Sequence, residues 1–442
     1  MIETILKEKL RIEKLKEIKK TETPIMTGVR IPYKGEDKEF DVYRIPLRYL
    51  VYNPYNGRIG TKVRTFEVNS HKLNPEDEED VKIIEKYLWD SKIDRNKKTM
   101  ESLIKYKQKE YGIVSRNGYI IDGNRRASLL NEIFRKRNTK YKNHDVSHCE
   151  FFNAIILDDD ADKKEILRLE TTYQMGMDEK LDYNATEKYL KCKQLLDEGY
   201  TTKDIAEMMD EKESTIKKNL EILKLMDEYL EYYDYKDMYS MLEKREGQFV
   251  DLSRFVKSYE EKSGNAHTNW DPDLTDITEM VSICFDYIRA QYEGKEFRNI
   301  AQNSRSSIPK GFFANKTIWE DFKKKHENFI DEIEEEPVTA YTDTKDGSKD
   351  ISTILAERDD VWTNRVINKL TENMNKSKRR LEDTQAADKP AVLLKNAIDA
   401  IELIDTNQET FYTSEVINLV NQINSICWDY KKIIQKELRK NG

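Results

Sequence analysis

Cysteine and histidine are both scarce in this chain, and neither is spaced for chemistry. Four cysteines (Cys149, Cys192, Cys284 and Cys427) are scattered through 442 residues without paired spacing. That pattern excludes a disulfide framework or a zinc site and reads as four free thiols. The five histidines form no ligand set; His144 and His148 are four apart, but the stretch around them reads as loop. No run approaches the roughly 18 apolar residues of a membrane span. No basic-then-apolar leader opens the chain. The expectation is a cytoplasmic protein with no membrane partner.

Charge is what the chain has in quantity. Charged residues make up 36% and hydrophobic residues 38%, a balance that suits a helix-rich, well-solvated protein. An aromatic fraction of 10%, with 25 tyrosines, argues against disorder. The length implies two to four domains. A net charge of −8 disfavours nucleic acid for the chain as a whole, yet a local basic face is what steers a protein to phosphate.

The most informative stretch is Tyr119-Ile120-Ile121-Asp122-Gly123-Asn124-Arg125-Arg126-Ala127, with Leu129, Leu130, Ile133 and Phe134 at helical spacing behind it. A β-like run ends at an acid and a glycine, and two arginines open a helix. Phosphate suits such a place: free N–H groups and the positive dipole end point outward, glycine lets the backbone approach, and arginines clamp oxygens. Asp122 either holds a metal ion or orients an arginine. The plain alternative is a β-turn capped by Asp122 with two solvated arginines.

Around this motif the texture is mixed. Residues 1–34 read as a charged helical arm. Residues 35–165 read as a small α+β domain, with β-like runs at Phe40–Ile45, Tyr49–Tyr52 and Phe151–Leu157 and helices over 77–91 and 98–106. The turn formers Asn53-Pro54-Tyr55-Asn56-Gly57-Arg58 interrupt it, and Asn117-Gly118 is its strongest hairpin signal. Residues 166–235 read as a helix-turn-helix domain. There Ile205 and Ala206 pack inward, Ile216 and Leu220 anchor the second helix, and Ser214, Lys217 and Lys218 face out toward duplex DNA. The glycine that often marks such a turn is missing. A helical extension (236–335), with a basic patch from Arg298 to Lys310, leads through a polar linker (336–350) to a C-terminal helical domain (351–442). Two apolar stripes there mark a bundle core or a homodimer seam: Trp362, Val366, Leu370 and Met374, then Val416 through Ile434. A protein partner on these helices is the other expectation.

The order of these elements resembles the ParB family, an N-terminal ParB/sulfiredoxin-like domain followed by a helix-turn-helix domain, over about residues 40–235. The family's glycine-acid-arginine-arginine phosphate motif is similar to Gly123-Asn124-Arg125-Arg126. Its next box, opening with a Glu-Asn pair that contacts metal and phosphates, looks like Glu170-Thr171 within Leu167–Gln174. Its run into the helix-turn-helix looks like Leu181-Asp182-Tyr183 through Leu225-Met226. An early asparagine-proline turn with an arginine looks like Asn53-Pro54 and Arg58. The departures are Asn124 for the usual acid, Ala127-Ser128 for an aromatic and a further arginine, and Thr171 for asparagine. No cysteine lies near Arg125 or Arg126 in the chain, so sulfiredoxin chemistry is not expected.

The resemblance implies a nucleoside triphosphate (CTP or ATP) with Mg²⁺, bound through Gly123, Asn124, Arg125, Arg126 and Thr171, with Glu170 and Thr171 at the metal. It implies a nucleotide-regulated, dimeric DNA-binding protein, and the long C-terminal half is more like relatives from mobile elements or antiviral systems. Two alternatives stay open. One is a magnesium-dependent phosphoryl-transfer enzyme or nuclease using Asp122 and Glu170. The other is a scaffold protein whose pocket has decayed.

Overall fold

The computed structural model describes residues 5–157, 163–173, 184–264, 266–292, 294–304, 308–342 and 351–441. Gln174, Leu181-Asp182-Tyr183, residues 305–307 of the basic patch and residues 343–350 of the expected linker lie outside them. By packing, the chain divides into two units, Met1–Ser377 and Lys378–Gly442.

The first unit is built on a five-stranded mixed sheet in the order β1-β2-β5-β3-β4. Its strands are β1 (Met26–Tyr33), β2 (Glu36–Pro46), β3 (Gly112–Val114), β4 (Ile120–Asp122) and β5 (Phe151–Ile156). Only β3 and β5 run parallel. Side chains alternate between the faces, as a pleated strand requires. Phe40, Val42, Ile113, Ile121 and Ile155 pack on one face with Ile31 and Leu169. Tyr43, Ile45, Val114, Ile120, Ala154 and Ile156 pack on the other. With both faces covered, β5 reads in the sequence as an unbroken apolar run.

The helices of the second face are α1 (Glu8–Thr21), α2 (Gly60–Asn69), α3 (Glu78–Asp90), α4 (Ile93–Tyr106) and α5 (Asn124–Arg135). Asp77 caps α3 through the N–H groups of Glu79 and Asp80, and Val81, Ile84 and Leu88 carry its buried stripe. The β3–β4 hairpin turns where Asn117-Gly118 marks it. Gly118, at φ +81°, donates to the Ser115 carbonyl and is pressed under the Tyr49 carbonyl, which leaves no room for a Cβ. The expected Tyr49–Tyr52 strand is reduced to one bridge, Val51 beside Tyr119, after a single 3₁₀ turn. Helix α4 begins five residues earlier than the expected 98.

Next come α6 (Lys163–Thr171), α7 (Ala185–Asp197), α8 (Thr202–Met209) and α9 (Glu213–Tyr232). Leu169 of α6 packs on the sheet while Leu167 packs with Cys192, Leu195, Ile205, Met209 and Ile216. One short helix thus splints two cores. The remaining helices of this unit are α10 (Glu246–Glu260), α11 (Leu274–Arg289), α12 (Arg298–Ala301), α13 (Lys316–Ile330), α14 (Val338–Thr342) and the start of α15 (Ile351–Glu402). Arg289 is fully buried among them, bonded to Asp359 and Glu335 and set between the Tyr233 and Trp362 rings. The first C-terminal stripe, Trp362, Val366, Leu370 and Met374, is buried here. The second unit holds the rest of α15 and α16 (Ser414–Asn441), and the second stripe is exposed along it apart from the half-buried Val416. Among the described residues no helix is long and apolar enough to cross a membrane.

Gly112 opens β3 against the rim of the sheet core: a Cβ there would lie 2.4 Å from Phe152 Cζ and 2.6 Å from the Asp122 carbonyl oxygen. Gly112→Ala is therefore expected to cost about 1–3 kcal/mol in urea unfolding, the usual range for overpacking. Gly247→Ala, in α10 with open space around it, should instead add about 0.5 kcal/mol.

Candidate functional site

Helix α5 starts at Gly123, whose φ of +100° belongs to the left-handed region, and no side chain caps it. A cavity of about 240 Å³ opens before its first turn. Six basic side chains line it, Arg58, Arg95, Lys107, Lys109, Arg125 and Arg126, against two acids, Glu110 and Asp122. Two larger cavities differ in charge. The one beside α3 and α5 has four basic and four acidic residues, and the one between α2 and α7 has four and three. The surplus before α5 is an anion site in electrostatic terms.

Each cation is delivered by local structure. Asn53 accepts from the Tyr55 N–H and Asn56 from the Arg58 N–H, so two successive side-chain-closed turns present Arg58. Arg95 comes from α4. The loop after α4 is clamped where the Gln108 side chain both accepts from the Asn153 N–H and donates to the Asn153 carbonyl. That clamp leaves Lys107 and Lys109, on either side of Gln108, to the cavity.

The DGNRR residues divide their duties. Arg126 donates to the carbonyls of Glu110 and Tyr111 and pairs with Asp122 at 3.2 Å. Of the two roles read for Asp122, this contact is the orienting of an arginine. Arg125 lines the cavity. Asn124 is 1% exposed and turns inward, its amide donating to the Ile120 carbonyl and its oxygen accepting from the Asn53 N–H at 2.7 Å. An acid could not donate to Ile120, which is a physical reason for asparagine at this place.

Asn53 is the hub beneath the site. Its side-chain oxygen also accepts from the Tyr119 hydroxyl at 2.6 Å, and its amide donates to Glu170 Oε1 at 3.3 Å. Glu170 in turn faces Lys191 Nζ at 3.0 Å, both ends 5% exposed or less. Burial pushes the Glu170 carboxyl up, while Lys191 and the Gly57 N–H pull it down. Thr171 is fully buried and its hydroxyl donates to the Leu167 carbonyl at 2.7 Å. Glu170 and Thr171, expected at a metal, both have protein partners. The chain Asn124–Asn53–Glu170–Lys191 therefore links the cavity floor to α7. A second link runs from α7, where Glu187 accepts from the Thr61 N–H at the start of α2.

Helices α8 and α9 are joined by three residues. The turn that lacks glycine is made by Asp210, which takes the left-handed conformation itself (φ +49°, ψ +52°). A capping box between Thr201 and Asp204 starts α8. Ile205, Ala206 and Ile216 are buried, Leu220 is half-buried, and Ser214, Lys217 and Lys218 are exposed. Lys217 pairs with Glu213 at 2.8 Å on open surface, a contact weak enough for phosphate to displace.

The sequence singled out Asp122 to Arg126 and Arg58, and all of them line the cavity, the inward-turned Asn124 at its floor. Arg95, Lys107 and Lys109 were missed because nothing local marks them. No model of a known protein family matches the chain, nor does any curated protein, so the geometry carries the assignment.

Glu187 gives this region a pH dependence. Burial pushes its carboxyl from 4.5 up to about 7, against the pull of the Thr61 hydrogen bonds, Arg64 and Lys191. Between those pH values the folded protein keeps a proton that the unfolded chain has released. Stability should fall as pH rises through the window and level off above it, by about 3 kcal/mol at most. Glu187→Gln, which keeps an acceptor for Thr61, should flatten that slope in unfolding curves recorded from pH 5 to 8.

Proposed function

We propose that this protein is a ParB-like DNA-binding protein regulated by a polyphosphate nucleotide. The observation that carries the reading is the convergence of Arg58, Arg95, Lys107, Lys109, Arg125 and Arg126 before the uncapped first turn of α5. Guanidinium and ammonium groups beside the backbone N–H groups of a helix's first turn match the oxygens of a triphosphate such as CTP or ATP. Binding is favoured over turnover by the acids: Asp122 holds Arg126 and Glu170 holds Lys191.

Regulation follows the buried chain. A ligand that pulls on α5 acts on Asn124, and through Asn53, Glu170 and Lys191 on α7, against which α9 packs. The ligand shifts the arrangement only by the difference in its affinity for the two states. The second helix of the α8–α9 pair then serves as the recognition helix of a helix-turn-helix, with Ser214, Lys217 and Lys218 toward duplex DNA. Homodimerisation falls to α16, where Val416, Ile423 and Tyr430 alternate with Leu419, Ile426 and Ile433 at heptad spacing. Ile423 is 42% and Ile433 61% exposed.

Titrating the four nucleoside triphosphates calorimetrically into the full chain tests the cavity. One should bind at micromolar strength, and Arg95→Ala with Arg125→Ala should weaken it by roughly a hundredfold, two charge-assisted contacts being lost. Arg126 is unsuited to this test because it also ties α5 to Glu110 and Tyr111. No binding by any of the four rules the nucleotide out.

For DNA, Lys217→Ala with Lys218→Ala should weaken duplex binding alike across sequences and reduce the salt slope by about two; an unchanged slope means that α9 does not lie on phosphate. For assembly, Ile423→Asp with Ile433→Asp should convert a dimer to monomer in sedimentation velocity, with the helical content retained.

A further inference from the structure

We infer that the cavity before α5 takes its polyphosphate without a divalent metal, because the Lys191 ammonium already occupies the cation's place at Glu170. The inference rests on the phosphate reading of that cavity and says how its charge is balanced.

Glu170 is the carboxylate that the resemblance places at such an ion, and its oxygens are committed. Oε2 meets Lys191 Nζ at 3.0 Å and Oε1 meets the Asn53 amide at 3.3 Å, with the Gly57 N–H also bonded to the carboxylate. Magnesium demands near-octahedral oxygens at about 2.1 Å and keeps several of its waters. A carboxylate 3% exposed offers no room for a hydrated ion. An ammonium already bonded to it would also repel a second cation brought within coordinating distance. Thr171 is no better placed: its hydroxyl, itself fully buried, would have to give up the Leu167 carbonyl. Of the two acids that line the cavity, Asp122 is paired with Arg126 and Glu110 stands exposed as a single carboxylate among the basic side chains. Among the described residues no three His, Cys, Asp or Glu side chains are grouped to hold a metal.

What a metal would bring, neutralisation of phosphate charge, the protein supplies from its own side chains. Six basic residues against two acids line the cavity, and they approach from the turn after Asn53, the α4 surface, the loop after α4 and the start of α5. An arrangement drawn from four elements can surround an anion without a bridging ion. Lys191 lies behind this wall, where it fixes the Asn53 hub in place of a metal.

The test is calorimetric titration of ATP, CTP and inorganic tripolyphosphate into the full chain, once with excess EDTA and once with excess magnesium. Affinity in EDTA should equal or exceed that in magnesium, where the ion complexes the free polyphosphate and lowers its charge. Binding weakened by roughly a hundredfold or more in EDTA overturns the inference while leaving the phosphate site standing. No binding of any probe in either buffer overturns both. Thermal melting gives an independent reading. Magnesium should leave the wild-type midpoint unchanged and raise that of Lys191→Ala, where the Glu170 carboxylate has lost its ammonium. A magnesium-induced rise in the wild type also overturns the inference, and this arm needs no variant to fold.

Discussion

Taking the Lys191 ammonium and the Glu170 carboxylate out of water costs several kcal/mol per ion, and only close geometry with further hydrogen bonds recovers it. Here the geometry is supplied from three directions, by the Asn53 amide, by the Gly57 N–H and by the ammonium itself. The pair sits at the junction of the sheet and the α7–α9 cluster. Leu169 faces one core and Leu167 the other, so α6 cannot shift without disturbing both. A well-packed apolar pair could stabilise such a junction equally well. What charge adds is direction: each oxygen of Glu170 has a designated donor, so the two cores meet in one register.

Within this frame the cavity before α5 is rigid where it needs to be. Its floor, Asn124 on Asn53, is buried and hydrogen-bonded, while its rim consists of long basic side chains, of which Arg126 is held by Glu110, Tyr111 and Asp122. Were the cavity to hold a nucleotide as proposed, it would tolerate variation in the base, because the phosphates are what the rim can grip. Tyr119 shows how the floor is kept uniform. Burial and the nearby Glu170 charge hold its phenol protonated, so it remains a donor to Asn53.

How much of this was legible in the sequence depended on range. The alternation in Phe40–Ile45, the apolar run of β5 and the Asn117-Gly118 turn are local signals, and each appears where the residues place it. Strand β1 was not legible, because Gly28 and Pro32 interrupt its pattern and the tight turn to β2 uses Lys34 with Gly35, both at positive φ. Lysine is not a residue that advertises such a turn. Helix α2 was missed for a different reason. It begins at Gly60 and its first turn is satisfied by Glu187, far along the chain. The Asp122–Arg126 motif stood out as a string. The roles of Asn53 and Lys191 exist only as contacts between segments remote in sequence, and no periodicity encodes them.

The strand order has a consequence for synthesis. Strand β5, which joins β2 to β3 at the centre of the sheet, is the last of the five to leave the ribosome. Until residue 156 has emerged, the β1–β2 and β3–β4 hairpins have no strand to join them. Each then presents an open edge of backbone donors and acceptors, the condition under which nascent chains pair wrongly or recruit holdases. The parallel β3–β5 contact has to wait for the hairpin, α5 and the connection after it. A ribosome-bound intermediate stalled just before Phe151 would carry two hairpins and no sheet. The nascent chain would therefore acquire this layer in one step, when the central strand docks.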